Sequence, residues 1–410
     1  MIIQLIKKLL SVVKNRLKNK FCTAQSFLIA FSTEKNWLLD YIPSSKEEHQ
    51  SLMLVRLDVI GDFILWLDSA KAYRVIYPNK RIVLYANASW AELAKQFNYW
   101  DEVVSIDMVR LRADELYRIK TFFKIRRRGF SVAVQPTYSR EYMGDMLTRA
   151  SSAIIRVGYD CDLCNILPEE KKIADHWYTV MIQSSSTPVM ELIRNAEFVR
   201  QLGDASFISG APEIAPLLDL PENLKFDLPY IVIFPGASWE PKMWPAKKFA
   251  ELINKLKTEH SIEILLCGGG AEYDLCQKII DESNIAAHNL AGLTKLQELV
   301  EIIRNANLVV ANDTSAIHIA AATKTYAVCL LGGGHFGRFL PYQFELKRDD
   351  KQPKYLIHRM DCYGCNWNCI HTQSLIETVP CIGNISVEQV YVACTKLIEN
   401  IAEAPPVLNQ

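Results

Sequence analysis

Four short stretches place polar or glycine-rich residues at the ends of apolar runs. FPGASWEPKMWPAKKFAEL runs from Phe234 to Leu252, directly after the apolar run YIVI. There Gly236 lets a ligand approach the backbone, Ser238 offers a hydroxyl, and Lys242 supplies a mobile positive charge. A strand, a small-residue loop and a helix start form an anion site, because free N–H groups and the helix dipole both favour negative charge. Pro245 suits the first helical turn, where its missing N–H would be unpaired anyway. ANDTSAIHIAAAT, Ala311 to Thr323, repeats the arrangement. Its Thr314 and Ser315 hydroxyls suit a diphosphate, and Asp313 and His318 lie beside them in sequence. CGGGAEYDL, Cys267 to Leu275, permits close backbone approach but lacks the full dinucleotide fingerprint. Its Glu272 is placed to bind ribose hydroxyls or merely to favour the helix dipole. RLDVIGDFIL puts Gly61 and Asp62 before a helix, with Asp62 a candidate for proton transfer or a simple cap. Plainer readings also stand for Lys242, as a surface lysine, and for His318, as a satisfied structural histidine.

A fifth stretch, CYGCNWNCIHTQSLIETVPC, carries Cys362, Cys365, Cys369 and Cys381. That spacing is compatible with a tetrahedral zinc or iron site, with His371 as a further ligand; the alternative is a reduced, packed loop.

These motifs need strands and helices to hold them. From Ser51 onward, short apolar runs alternate with helical patterns: LMLVRL, a helix stopped by Pro78, RIVLYA, a helix around Trp90 to Phe97, EVVSID, a helix from about Ala113 to Arg128, and SVAVQP. Such alternation predicts parallel βαβ units. The proline-rich stretch Ala211 to Pro229 reads as a linker. After it the alternation restarts with YIVIFP, IEILLCGGG, HNLAG, NLVVAND and TYAVCLLGGG. Two Rossmann-like α/β domains are therefore expected, with ligands at the carboxyl ends of the strands.

The 410 residues suffice for two cores, and 46 basic residues balance 46 acidic ones. No overall field recruits nucleic acid, which is not expected as a partner. Eleven cysteines in a chain this large point to a reducing cytoplasm; Cys267, Cys276 and Cys329 read as buried thiols. No run of 18 uncharged apolar residues predicts a transmembrane helix. The first 20 residues put Ile2, Leu5, Ile6, Leu9, Val13 and Leu17 on one helical face and Lys7, Lys8, Lys14 and Lys18 mostly on the other. That pattern fits a helix lying on an anionic membrane surface, or one packed on its own domain or a partner.

In order and spacing, GDFIL after a first strand, FPGASWEPKMWPAKKFAEL, GGGAEYD and ANDTSAIHIAAA resemble glycosyltransferase family nine, the bacterial heptosyltransferases. The likeness runs from about Leu52 to Ile401. It implies a GT-B fold: an acceptor-side domain over 51–215 and a nucleotide-sugar domain over 225–385 that carries the loop 362–381. Residues 1–50 stand as an added helix and connector, and 386–410 as a C-terminal helix and tail. The resemblance makes Asp62 the general base, with Asp58 a rival, and puts Lys242 on the donor phosphates. Asp313 would hold sugar hydroxyls beside Thr314 and His318, and Glu272 is a looser match to a ribose-binding glutamate. Related enzymes often carry a cysteine-rich loop at this position.

The expected function is inverting transfer of a sugar from a nucleotide sugar, ADP-heptose by analogy, to a lipopolysaccharide core or other glycan acceptor. No cofactor is required, and the expected location is the cytoplasm, peripheral on the inner membrane. A sugar-nucleotide epimerase and a non-catalytic assembly protein of the same fold are the alternatives.

Overall fold

The structure is a computed structural model that describes residues 50–185, 189–346, 351–371 and 377–403. The expected N-terminal amphipathic helix lies outside the described residues. Contacts divide the chain into two units, one of residues up to Val55 with Met108–Met181, the other of Arg56–Asp107 with residues from Ile182 onward.

Among the described residues, twelve strands form two six-stranded sheets. The first contains β1 (Ser51–Arg56), β2 (Arg81–Asn87), β3 (Glu102–Ile106), β4 (Val132–Gln135), β5 (Ile155–Tyr159) and β6 (Val180–Ile182), in the order β3-β2-β1-β4-β5-β6. The second contains β7 (Tyr230–Phe234), β8 (Glu263–Leu266), β9 (His288–Asn289), β10 (Leu308–Asn312), β11 (Ala327–Leu330) and β12 (Lys354–Leu356), in the order β12-β11-β10-β7-β8-β9. The central pairs are parallel, with Leu52 opposite Val132 in the first sheet and Ile231 opposite Leu308 in the second. Strands covered on both faces read as unbroken apolar runs, and LMLV and YIVI are buried throughout.

Helix Ala246–Glu259 buries Phe249, Ala250, Leu252, Ile253 and Leu256, the one-face spacing of an amphipathic helix, against Ile231, Ile233 and Ile264. Cys267, Cys276 and Cys329 are free and buried, and burial raises each thiol above its ordinary pKa. They are inert packing groups, as expected.

Three local expectations shift. The helix expected to follow β1 begins earlier, at Ile60, and divides into Ile60–Ala70 and Ala72–Ile76. The helix expected from Ala113 to Arg128 starts at Glu115, capped by Asp114 through Tyr117 N at 2.9 Å, and a further short helix, Met108–Ala113, precedes it. Pro245 is the N-cap and not the first helical residue: its φ of −56° suits a helix but its ψ of 134° does not.

In the first unit, a buried charge network joins the helix after β4 to the end of the helix after β5. Arg140 and Asp145, both 0% exposed, pair at 2.9 Å. Tyr178 Oη donates to Asp145 Oδ1 at 2.6 Å, and Asp175 also pairs with Arg140.

Candidate active site

Asp62 occupies the third position of helix Ile60–Ala70. The N-cap of that helix is the extended Val59 and not Asp62, so the capping alternative does not hold. The preceding loop is pinned from below: Asn87 Nδ2 donates to Leu57 O at 2.9 Å and Trp90 Nε1 to Asp58 O at 2.8 Å. Fully buried Arg56 pairs with Asp58 at 2.7 Å, donates to Asn195 Oδ1 at 3.3 Å and reaches Asp62 O at 3.5 Å. Burial, and then the charges of Asp58 and Glu191, push the Asp62 carboxyl up to about 8 against the opposing pull of Arg56 and Arg338. Part of Asp62 stays accessible, which moderates the burial contribution but does not reverse it. A carboxyl tuned this way accepts a proton near neutral pH. Asp58, the rival candidate, is held by the Arg56 guanidinium.

Glu191 has no signal in the sequence. It is 2% exposed and opens helix Glu191–Leu202. Its backbone N–H donates to Arg338 O at 2.8 Å, and its Oε2 lies 3.5 Å from Arg338 Nε. These two contacts hold Glu191 close enough to act on Asp62 electrostatically.

The second group of residues lies at the carboxyl ends of β7, β8 and β10. Buried Asn312 ties them: its Nδ2 donates to Pro235 O at 2.6 Å and its Oδ1 accepts from Trp244 N at 3.0 Å. This fixes the loop that carries Lys242, which sits in the short turn Glu240–Lys242. Burial lowers the Lys242 pKa, while Asp313 pulls the other way. Burial raises the Asp313 carboxyl to about 6, opposed by Lys242. Thr314 is the N-cap of helix Ser315–Ala322, yet its hydroxyl makes no cap bond and is buried with no partner among the described residues. A free hydroxyl and free N–H groups at a helix start suit an anion. Glu272 lies across Gly236, where a Cβ would come within 2.6 Å of its Cγ. Gly236 thus makes room for Glu272 next to the Lys242 loop. Ser238 is exposed on that loop.

The two groups meet at Gly61. A Cβ there would stand 3.1 Å from His318 Cδ2 and 3.8 Å from Ser315 Cα, so glycine lets the Asp62 helix start approach the Ser315 helix start. His318 is 4% exposed, its Nδ1 is 2.7 Å from Tyr342 Oη, and burial lowers its pKa to about 4, leaving it neutral. Its observed contacts are therefore with Tyr342 and the Gly61 turn.

Cys362, Cys365, Cys369, Cys381 and His371 line one small cavity, and Gly333 N–H donates to Cys381 Sγ at 3.4 Å. Among the described residues, no three Cys, His, Asp or Glu side chains are placed to hold one metal ion. The expected zinc or iron finds its thiols gathered but not in a ligating arrangement.

Several known proteins are similar to this chain. Lipooligosaccharide heptosyltransferase 2 of Campylobacter jejuni is 33% identical over 141 residues, which is 31% of this chain and 44% of that protein. The chain thus spans less than half the length of the curated relatives it matches. The solved structure of E. coli ADP-heptose LPS heptosyltransferase II superposes with a TM-score of 0.61 at 17% identity, over 86% of this chain and 99% of that one. An iron-containing dodecameric glycosyltransferase, TibC of enterotoxigenic E. coli, follows with 0.52 at 14% identity, over 87% and 81%. The fold is the expected α/β GT-B class, with two parallel, helix-flanked sheets. The model of glycosyltransferase family 9 (heptosyltransferase) matches residues 141–348, just over half of the sequence, and the chain belongs to that family.

Proposed function

We propose that the protein is an inverting glycosyltransferase that moves a sugar from a nucleoside-diphosphate sugar to a glycan acceptor. The observation that carries this is the meeting at Gly61 of the Asp62 turn with the free helix start at Thr314 and Ser315. Asp62 takes the proton from the acceptor hydroxyl as that oxygen attacks the anomeric carbon. The nucleoside diphosphate leaves from the opposite face, and Lys242 with the helix start receives its charge. Asp313 holds sugar hydroxyls and Glu272 the ribose. Lys242 and the helix supply the charge compensation, so the reaction requires no cofactor, and no step runs through the cysteine loop.

ADP-heptose is the proposed donor, because the relatives carry heptosyltransferase names and one solved neighbour is named for that sugar. The proposed acceptor is a lipopolysaccharide core or another lipid-linked surface glycan, met at the inner membrane surface by 51–215, with 225–385 holding the donor. No helix among the described residues is long and apolar enough to cross a membrane.

Calorimetry with ADP, GDP and UDP tests the donor site. One nucleotide is expected to bind selectively, and Lys242→Ala to weaken it by about 10–100-fold, the worth of a hydrogen bond to a charged group. A folded protein that binds none of the three would remove the donor-site assignment. Transfer from the matching donor, dependent on added acceptor, then separates this reading from an epimerase.

A further inference from the structure

The cysteine-rich loop also touches the donor-site lysine. Lys242 Nζ stands 4.2 Å from the centroid of the Trp367 ring, midway between Cys365 and Cys369 in sequence. Asn366 and Trp367 both adopt left-handed backbone, with φ of 50° and 62°. That conformation is unfavourable for a bulky side chain and persists only where the surroundings impose it. Here the surroundings are the strand-end glycines: Gly364 N–H donates to Gly333 O at 2.8 Å and Asn366 N–H to Gly334 O at 3.0 Å. The Trp367 ring lies so close over Gly334 that a Cβ there would come within 2.3 Å of it. Trp239 packs edge-on against the same ring at 6.3 Å. On the far side of the loop, Val379 N–H donates to Pro241 O at 2.9 Å and Thr378 Oγ1 to Met243 O at 3.0 Å. The residues flanking Lys242 are thus clamped by the later part of the loop, and its ammonium by Trp367 in the earlier part.

We infer that Trp367 is a positioning residue for donor binding: its ring fixes the Lys242 ammonium where the donor's diphosphate is received. This rests on the donor-site reading above. An aromatic face attracts an ammonium without consuming its N–H donors, so a lysine seated on a ring keeps all three for phosphate oxygens. The ring draws Lys242 from one side and the Asp313 charge acts on it as well. A side chain with four rotatable carbons is then ordered before the ligand arrives, which lowers the entropic cost of binding.

The test is ADP calorimetry on Trp367→Leu and Trp367→Phe, each alone and combined with Lys242→Ala. Leucine keeps apolar bulk over the glycines and removes the aromatic face; phenylalanine keeps both. Trp367→Leu is expected to weaken ADP by about 3–30-fold, with Trp367→Phe within about threefold of the parent. In turnover assays the loss appears in the donor KM with kcat little changed. In the Lys242→Ala background, Trp367→Leu is expected to add nothing, because its effect passes through the lysine. Equal losses in both backgrounds, or tighter ADP binding by Trp367→Leu, would overturn the inference. If Lys242→Ala weakens ADP and Trp367→Leu does not, this inference alone fails. If Lys242→Ala has no effect, or none of ADP, GDP and UDP binds the parent, the donor-site reading fails and takes the inference with it.

Discussion

Asp62→Asn is expected to lower kcat by about 10²–10⁴-fold while nucleotide affinity stays within about twofold. Asparagine preserves the shape and polarity of the helix turn but cannot take a proton. The pH profile provides the second signature. Burial and the neighbouring acids raise the carboxyl to about 8, so at neutral pH only a minority of molecules hold the base in its reactive, ionised form. In the parent, kcat/KM should therefore climb by about tenfold per pH unit below that value and level above it. The rise should vanish in Asp62→Asn. Glu191→Gln removes one of the charges that raise the carboxyl, and should move the turning point to lower pH without abolishing activity. A profile that keeps its slope in Asp62→Asn would assign the base elsewhere, with Asp58 the first residue to test.

The largest stability effect is expected in the first unit, at Arg140 and Asp145. Asp145→Leu leaves a guanidinium that is 0% exposed without its buried partner. Arginine cannot shed its proton to escape, so the expected loss is about 3–5 kcal/mol, read from denaturant unfolding. Arg140→Met behaves differently, because a stranded carboxyl can protonate. Burial raises Asp145 to about 6 even with Arg140 opposing the shift. A folded-state pKa above the unfolded value means that stability from this group is present at low pH and declines as pH rises through the folded pKa. In the parent that decline is complete near pH 6. Without Arg140 the folded pKa is higher still, so the decline continues. The deficit of Arg140→Met should thus be smaller at about pH 6 than at about pH 8, growing by about 1.4 kcal/mol per pH unit until the new pKa is passed. A deficit independent of pH would show that Asp145 is not the group responsible.

The alternation of strands and helices was legible because parallel strands buried on both faces leave continuous apolar runs such as LMLV and YIVI. The loops were legible because helix starts that leave N–H groups free select Gly, Ser, Thr and Pro. Helix ends were less so: Pro245 falls just outside its helix, since proline restricts φ but leaves ψ open. Relations between distant residues had no local trace. Glu191 and Arg338 are far apart in sequence, and their influence on Asp62 exists only once the chain is folded. The cysteine spacing suggested a metal and said nothing of Trp367, whose role comes from an unusual backbone conformation and a neighbour on another loop.

Both sheets place an early strand beside one made much later. Leu52 waits for Val132, and Ile231 for Leu308. At ribosomal speeds of about 5–20 residues per second, each interval of roughly 80 residues lasts about 4–16 s. For that time a largely apolar strand stands with one edge open, the condition under which nascent chains associate wrongly. Yield in a foreign host should accordingly depend on translation speed and chaperone supply more than on the stability of the finished protein. Added chaperone should raise the soluble fraction even for variants whose folded state is unchanged, and slowing synthesis without it should lower that fraction.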